Sequence, residues 1–355
     1  MIVETVSLRD FRSYERLELG LRPGLVLLVG PNGVGKTNLL EAVHVAAQGF
    51  SPRTRTDSQV VRFGAEGARV AIAGRRGEVG LELEVTVRRG EGKRAQLNGA
   101  PLRAAEQLRT IASALVFTPD RLGVVKGPPA ARRAYFDRVL GRFAPTRAPL
   151  PAEYGAAVAQ RNAALRRAAA HLSGRDAIEP WSDRVATLGA ELVAARLETL
   201  ALLEPSFATR AGELGLADVS LRYEGEPPTL AGLEATLERD LDRGATSLGP
   251  HLDDVVLAAA GRDLRSYGSQ GEQRLALLAL LLAEAETIAD RTGVPPLLLF
   301  DDVLSELDPD RRRILADRVR GAGQALVSAT DAAMLPAAPD QLLEVTAGAV
   351  LEAVA

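Results

Sequence analysis

The octapeptide "GPNGVGKT" at 30–37 and the run "PLLLFDDVLSELD" at 296–308 carry residue types that handle phosphate. Gly30, Gly33 and Gly35 with Lys36 and Thr37 fit the spacing glycine, four residues, glycine, lysine, Ser/Thr. Glycines there let the backbone wrap an anion, so that its N–H groups and a helix N-terminus face the charge. Lys36 supplies a point charge for β- and γ-phosphates, and Thr37 supplies a hydroxyl for Mg²⁺. In the second run an apolar strand ends on Asp301, the carboxylate on the Mg²⁺ side, and on Asp302, placed to orient an attacking water. The chemistry these residues suit is nucleoside triphosphate binding and hydrolysis.

A third stretch, "SYGSQGEQR" at 266–274, stands directly ahead of the apolar run "LALLALLLAEAE". Ser269 and Glu272 have capping-box spacing, which by itself predicts only a well-started helix. Gly268 and Gly271 also leave the first amides unobstructed, and a buried helix aims its N-terminal dipole in a fixed direction. That makes a second anion site in a chain with one P-loop.

The elements that must position these residues follow from pattern. Strands are expected at 2–8 and 17–29. A helix after the P-loop puts Leu39, Leu40, Val43, Ala46 and Ala47 on one face, with Gly49 as its stop. Antiparallel strands with glycine turns are expected from 68 to 98. Residues 150–245, rich in Ala, Leu, Arg and Glu and broken by Pro180 and Pro205, read as a helical insert with antiparallel arms. Strands return near 251–258, 296–300 and 324–328, with helices at 270–290 and 309–320. The expected organisation is one α/β domain from 1–149 and 246–355, split by an insert at 150–245.

Composition narrows the chemistry. The 355 residues are 46% apolar and 25% charged, ordinary for a globular protein, and no apolar run reaches the length of a membrane span. The N-terminus lacks a signal-peptide core, so the expected place is the cytosol, at the nucleoid. Without cysteine there are no disulfides or thiolate metal sites, and His44, His171 and His251 are too scattered for a zinc site. A net charge of −3 gives no global attraction to nucleic acid, so DNA binding would need a local basic surface.

"GPNGVGKT", "SQGEQR", "LLLFDD" and "SELD", in this order, resemble the ABC-type ATPases. The blocks "PDRLGVVKGPPAARRAYFD" at 119–137 and "TSLGPHLDDV" at 246–255 narrow the resemblance to the RecF family of bacterial recombination mediators. It implies an α/β ABC-type ATPase head, a P-loop core with an antiparallel β subdomain (lobe I), split by a helical insert (lobe II). It further implies that Ser269, Gln270 and Gly271 touch the γ-phosphate held at Lys36 of a second copy, two ATP molecules being sandwiched in a head-to-tail dimer. Asn32, Gly33, Asn38 and Thr330 would line the nucleotide, and Ser305 to Asp308 the dimer seam. Arg12 matches a family position near the nucleotide, or is a surface salt bridge. The implied cofactors are ATP and Mg²⁺. The implied partners are RecR, RecO and RecA, met at gapped DNA.

Several positions depart from the pattern. Thr330 stands where transporter ATPases have a histidine, no glutamine ends "SALVFTPD", and Asp302 replaces a longer glutamate. Together these predict slow turnover. Leu252 and Arg121 also differ from the residues expected, an arginine and an acid.

The expected DNA surface is the run from 120 to 147. It holds Arg121, Lys126, Arg132, Arg133, Arg138, Arg142 and Arg147 against Asp120 and Asp137; a solvated helix face is the plainer reading. Arg53, Arg55, Arg88, Arg89, Lys93 and Arg94 are further candidates. With 4% aromatic residues and Trp181 the only tryptophan, duplex backbone suits this chain better than a stacking platform for single strands. The leading reading is an ATP-gated DNA clamp and weak ATPase. The alternatives are a transporter or SMC-type ATPase and a non-hydrolysing ATP-binding scaffold. Lys36 and Ser269 lie 233 positions apart, long for a transporter domain and far too short for an SMC arm.

Overall fold

A computed structural model describes residues 1–54 and 56–352. Its strands, in chain order, are β1 Ile2–Phe11, β2 Tyr14–Gly20, β3 Leu25–Val29, β4 Gly67–Arg76, β5 Val79–Arg88, β6 Gly92–Leu97, β7 Ala100–Pro101 and β8 Ala114–Phe117. They continue with β9 Val219–Glu224, β10 Asp254–Ala259, β11 Arg262–Asp263, β12 Leu297–Phe300, β13 Ala325–Ala329, β14 Gln341–Thr346 and β15 Ala349–Glu352. The longer helices are α1 Lys36–Gln48, α2 Pro129–Phe143, α3 Leu150–Ala169, α4 Glu179–Glu213, α5 Gln270–Thr292 and α6 Pro309–Gly321. None is long and apolar enough to cross a membrane among the described residues.

The chain forms two compact units, Met1–Arg121 with Leu278–Ala355, and Leu122–Leu277. In the first, the sheet β15-β14-β3-β13-β12-β8 is parallel except for β15. Its central strands read "LVLLV", "LLLF" and "ALVSA" and are buried almost throughout, the continuous apolar pattern of a sheet covered on both faces. The antiparallel sheet β2-β1-β4-β5-β6-β7 is covered on one face only. Val6, Leu8, Leu17, Val70, Ile72, Leu83 and Val85 point into one core, shared with Leu39, Leu40 and Val43 of α1 and with Val26 and Leu28 of β3. α1 is therefore nearly all buried, and the loop that starts it is held from two sides.

The expected strand at 17–29 is two strands in different sheets. Gly24 has φ 91°, and the Leu25 N–H is taken by Asp340 Oδ2, which ends one ladder and opens the other.

The second unit holds α2 to α4 and the sheet β11-β10-β9. Its limits differ from the expected 149/150 and 245/246: β10 pairs with β9 and α2 packs on α4 and β10, which draws both into this unit. The segment read as wholly helical contains β9. The two prolines do not break it, since Pro180 lies in the first turn of α4, where no N–H bond is lost, and the 35-residue helix runs on through Pro205. Tyr154, Ala157 and Val158 of α3 pack on Val185, Leu188 and Leu192 of α4. Beside them Arg161 and Asp240, neither with any exposed side chain, form a 2.8 Å ion pair completed by Ser182, Thr246 and Ser247.

Candidate nucleotide-binding site

The parallel register aligns Phe300 with Phe117 and Val29 with Ala329, so the P-loop, Asp301, Thr118 and Thr330 all leave the C-terminal edge of one sheet. Two loop glycines are dictated by close approach as well as by positive φ. A Cβ at Gly30 (φ 150°) would stand 2.4 Å from Val345 O, and one at Gly35 (φ 121°) 2.9 Å from Tyr14 Oη. Tyr14 donates to Gly35 O at 3.1 Å, and burial pushes its phenol up to about 12, so the donor proton stays in place. α1 begins without a side-chain cap, which leaves its first amides for an anion. Lys36 Nζ bonds the carbonyls of Gly30 and Pro31 at 2.6 and 2.9 Å. Burial lowers its pKa, while Asp302 and Asp301 act to raise it.

Asp301 Oδ1 accepts from Thr37 Oγ1 and from Ser328 Oγ, both at 2.9 Å, and Ser328 Oγ also accepts the Asp302 N–H at 2.9 Å. Burial raises the Asp301 pKa against the pull of these two hydroxyls. Asp302 sits in the left-handed region at φ 51°, ψ 28°, uncommon for a residue other than glycine. Its Oδ1 is buried and without a partner, as is the hydroxyl of Thr118. Such an orphan costs about 1–3 kcal/mol until something fills the site. The donors are all oxygens, which fits Mg²⁺. No group of three or more His, Cys, Asp or Glu among the described residues could hold a metal alone, and Mg²⁺ commonly completes its shell with phosphate oxygens and water.

Arg12 is built into the wall beside this edge. It gives Nε and Nη2 to the buried Glu41 of α1 at 3.0 and 2.7 Å, and Nη1 to Gln59 O at 2.7 Å. Glu41 also accepts from Ser51 and Arg53. Arg12 thus makes an ion pair whose partner is buried rather than on the surface. Asn38 bonds Ser13 Oγ and Arg53, while Asn32 and Gly33 are exposed on the loop. Thr330 is exposed, and its hydroxyl donates to Met334 Sδ at 3.4 Å. Ser305 bonds Asp302 O, and Asp308 caps α6 through the Arg311 N–H.

In the second unit the capping box forms as expected: the Ser269 N–H meets Glu272 Oε2 at 2.7 Å, and the Glu272 N–H meets Ser269 Oγ at 3.2 Å. Ser269, Gln270 and Gly271 are exposed, and a Cβ on Gly271 would meet nothing nearer than Ser269 Oγ at 3.9 Å. Behind it, Gln273 Nε2 donates to Leu264 O at 2.9 Å, which ties the helix start to the preceding turn.

Within the expected cationic run, Arg132 and Arg133 are engaged internally. Arg132 is 2% exposed, with Nε and Nη2 on Asp254 at 2.7 and 2.5 Å and Nη1 on the Val125 and Gly127 carbonyls. Arg133 bonds Asp253 O, Arg147 pairs with Glu198, and Asp137 is taken by Arg196. Lys126 is exposed and Arg121 half-buried. Two of the seven cations of the run, Arg132 and Arg147, are thus met by carboxylates from farther along the chain. Arg55 lies outside the described residues. Sequence reasoning also missed Ser328 and Tyr14. The available signal for Ser328 was a polar side chain inside the buried strand "ALVSA".

The family model described as the RecF/RecN/SMC N-terminal domain matches residues 2–350. The chain is 37% identical over 350 residues to the DNA replication and repair protein RecF of Symbiobacterium thermophilum, covering 93% of this chain and 92% of that one. It is 39% identical to RecF of Kineococcus radiotolerans, covering 95% of both. A solved structure of the recombination mediator protein RecF with ATP in the RecFOR pathway superposes with a TM-score of 0.91 at 26% identity, over 99% of this chain and 97% of that one. An SMC head bound to a ScpA domain shares the fold at a TM-score of 0.59 and 18% identity.

Two variants test the geometry. Ser328→Ala removes the shared hydroxyl and should cost about 1–3 kcal/mol in urea denaturation, with slower phosphate release and ATP affinity preserved. Arg132→Glu should cost about 3–5 kcal/mol in the same measurement, because it leaves Asp254 facing a like charge; a pure surface role predicts no loss of stability.

Proposed function

This chain belongs to the RecF family of ABC-type ATPases, and on that footing we propose that it is a DNA clamp whose two copies are joined by ATP. Its role is that of an ATP-dependent recombination mediator in DNA replication and repair, within the RecFOR pathway. The finer reading is that ATP with Mg²⁺ closes a head-to-tail homodimer on duplex DNA beside single-stranded gaps, in the cytoplasm at the nucleoid. Slow, DNA-stimulated hydrolysis would reopen it. Work with RecO and RecR to load RecA follows from the same reading.

The observation that carries it is the exposed helix start at Ser269–Gly271, where the capping box takes the Ser269 and Glu272 amides and nothing crowds the Cα of Gly271. In this account Lys36 trades the carbonyls of Gly30 and Pro31 for β- and γ-phosphate oxygens. Thr37 and Asp301, already in contact, would hold Mg²⁺, and the ion would supply neutralisation of phosphate charge. Ser328 keeps the loop of Asp302 in place so that its unpartnered oxygen can accept a proton from water. The amides at Gln270 and Gly271 of one copy reach the γ-phosphate of the other. Each such contact of a helix end is typically worth about 0.3–2 kcal/mol, so several together decide a weak association. The absent glutamine after β8, Thr330 in place of histidine and the short Asp302 support slow turnover.

Lys36→Ala should abolish ATP binding and ATP-dependent dimerisation together. Ser269→Arg should keep ATP affinity within a few-fold and remove the dimer, read by nucleotide titration beside sedimentation. A Ser269→Arg dimer persisting with ATP would refute the shared site.

A further inference from the structure

The outward face of the antiparallel sheet carries a row of arginines that the nucleotide site does not use. Strand alternation buries Leu8, Leu17, Val70, Val85, Val87 and Ala95 and turns their neighbours outward. The register sets Arg16 of β2 opposite Arg9 of β1, Arg9 opposite Arg69 of β4, Arg69 opposite Thr86 of β5, and Thr86 opposite Arg94 of β6. One row thus crosses five strands, about 19 Å at about 4.8 Å per strand.

Like charges directly opposite each other destabilise an antiparallel pair. Here two such pairs follow one another, Arg16–Arg9 and Arg9–Arg69. Arg69 is neutralised by Glu84 at 2.7 Å and Arg94 approaches Glu91 at 3.6 Å. Arg9 and Arg16 are both exposed and, among the described residues, meet no carboxylate within ion-pair distance. The adjoining row runs Glu18, Ser7, Ala71, Glu84 and Gln96, and its Glu84 is the partner of Arg69, which leaves Arg9 and Arg16, among the described residues, as the unpaired cations of the first row.

We propose that Arg9 and Arg16, at the head of this row, grip the phosphate backbone of duplex DNA. The row offers no aromatic side chain for stacking bases, and 19 Å is about five to six phosphates at the 3.4 Å rise per strand, which suits a duplex lying along it. The proposal rests on the reading that the ATP-bound protein holds duplex, and it names the surface that does so. It replaces the α2 run, whose arginines are engaged in the second unit, with a surface read from strand register.

The test compares the full-length protein with Arg9→Gln/Arg16→Gln by fluorescence anisotropy on a labelled duplex with ATP, from 50 to 200 mM salt. We expect at least tenfold weaker binding at 100 mM and a log–log salt slope shallower by about 1.8, about 0.9 for each lost phosphate contact. The ATP-dependent mass should be unchanged, and the thermal midpoint equal or higher, because removing the like-charge pair relieves repulsion. Unchanged duplex affinity and slope in the variant, with the unsubstituted protein binding normally, overturns the assignment alone and leaves the clamp standing. A fallen thermal midpoint overturns it too, by making the pair structural. If the unsubstituted protein itself fails to bind duplex with ATP, the clamp reading fails and takes this surface with it.

Discussion

A single carboxylate oxygen, Asp301 Oδ1, ties the nucleotide half-site together. It lies at the end of a strand buried between β8 and β13, where burial raises its pKa and hydrogen-bond partners offset the cost of its charge. Thr37 at the start of α1 and Ser328 on β13 supply the two hydroxyls it needs. Those bonds join the phosphate loop, the strand end and the neighbouring strand. The same Ser328 oxygen accepts the Asp302 N–H, so the left-handed turn at Asp302 is held by the hydroxyl that also anchors Asp301. Loss of one partner would loosen three elements.

The readable parts of this site were those whose chemistry closes within a few residues. The P-loop spans eight positions, the capping box at Ser269 four, and "LLLFDD" announces a buried strand ending on carboxylates. The parts not readable close over distance. Ser328 lies 27 positions from Asp301, and Tyr14 reaches Gly35 across 21. Arg132 is satisfied by Asp254, 122 positions away, which no local charge count along α2 could include. β9 was hidden because its six residues sit inside an alanine- and leucine-rich helical segment and become a strand by pairing with β10. Pro205 misled for a related reason: packing of α4 along its length outweighs one lost helical bond.

The arginines show how little the net charge of −3 says about surfaces. Arg132, Arg161 and Arg196 are each at most 3% exposed and serve as internal struts of the second unit, with Asp254, Asp240 and Asp137 as counter-ions. Arg9 and Arg16 belong to an exposed face where strand register brings cations together. What separates the two groups is where the carboxylates lie in three dimensions, and a bidentate buried pair cannot also serve a phosphate.

The account turns on completion of each ATP site by a second copy, and mixing two inactive variants tests this most directly. Lys36→Ala keeps a sound Ser269 helix end, and Ser269→Arg keeps a sound phosphate loop. Each alone should remain at monomer mass by light scattering with ATP. An equimolar mixture contains pairs in which one composite site is whole, so its mass should rise when ATP is added. A mixture that stays at monomer mass, while the unsubstituted protein dimerises, would show that the two halves do not meet across copies.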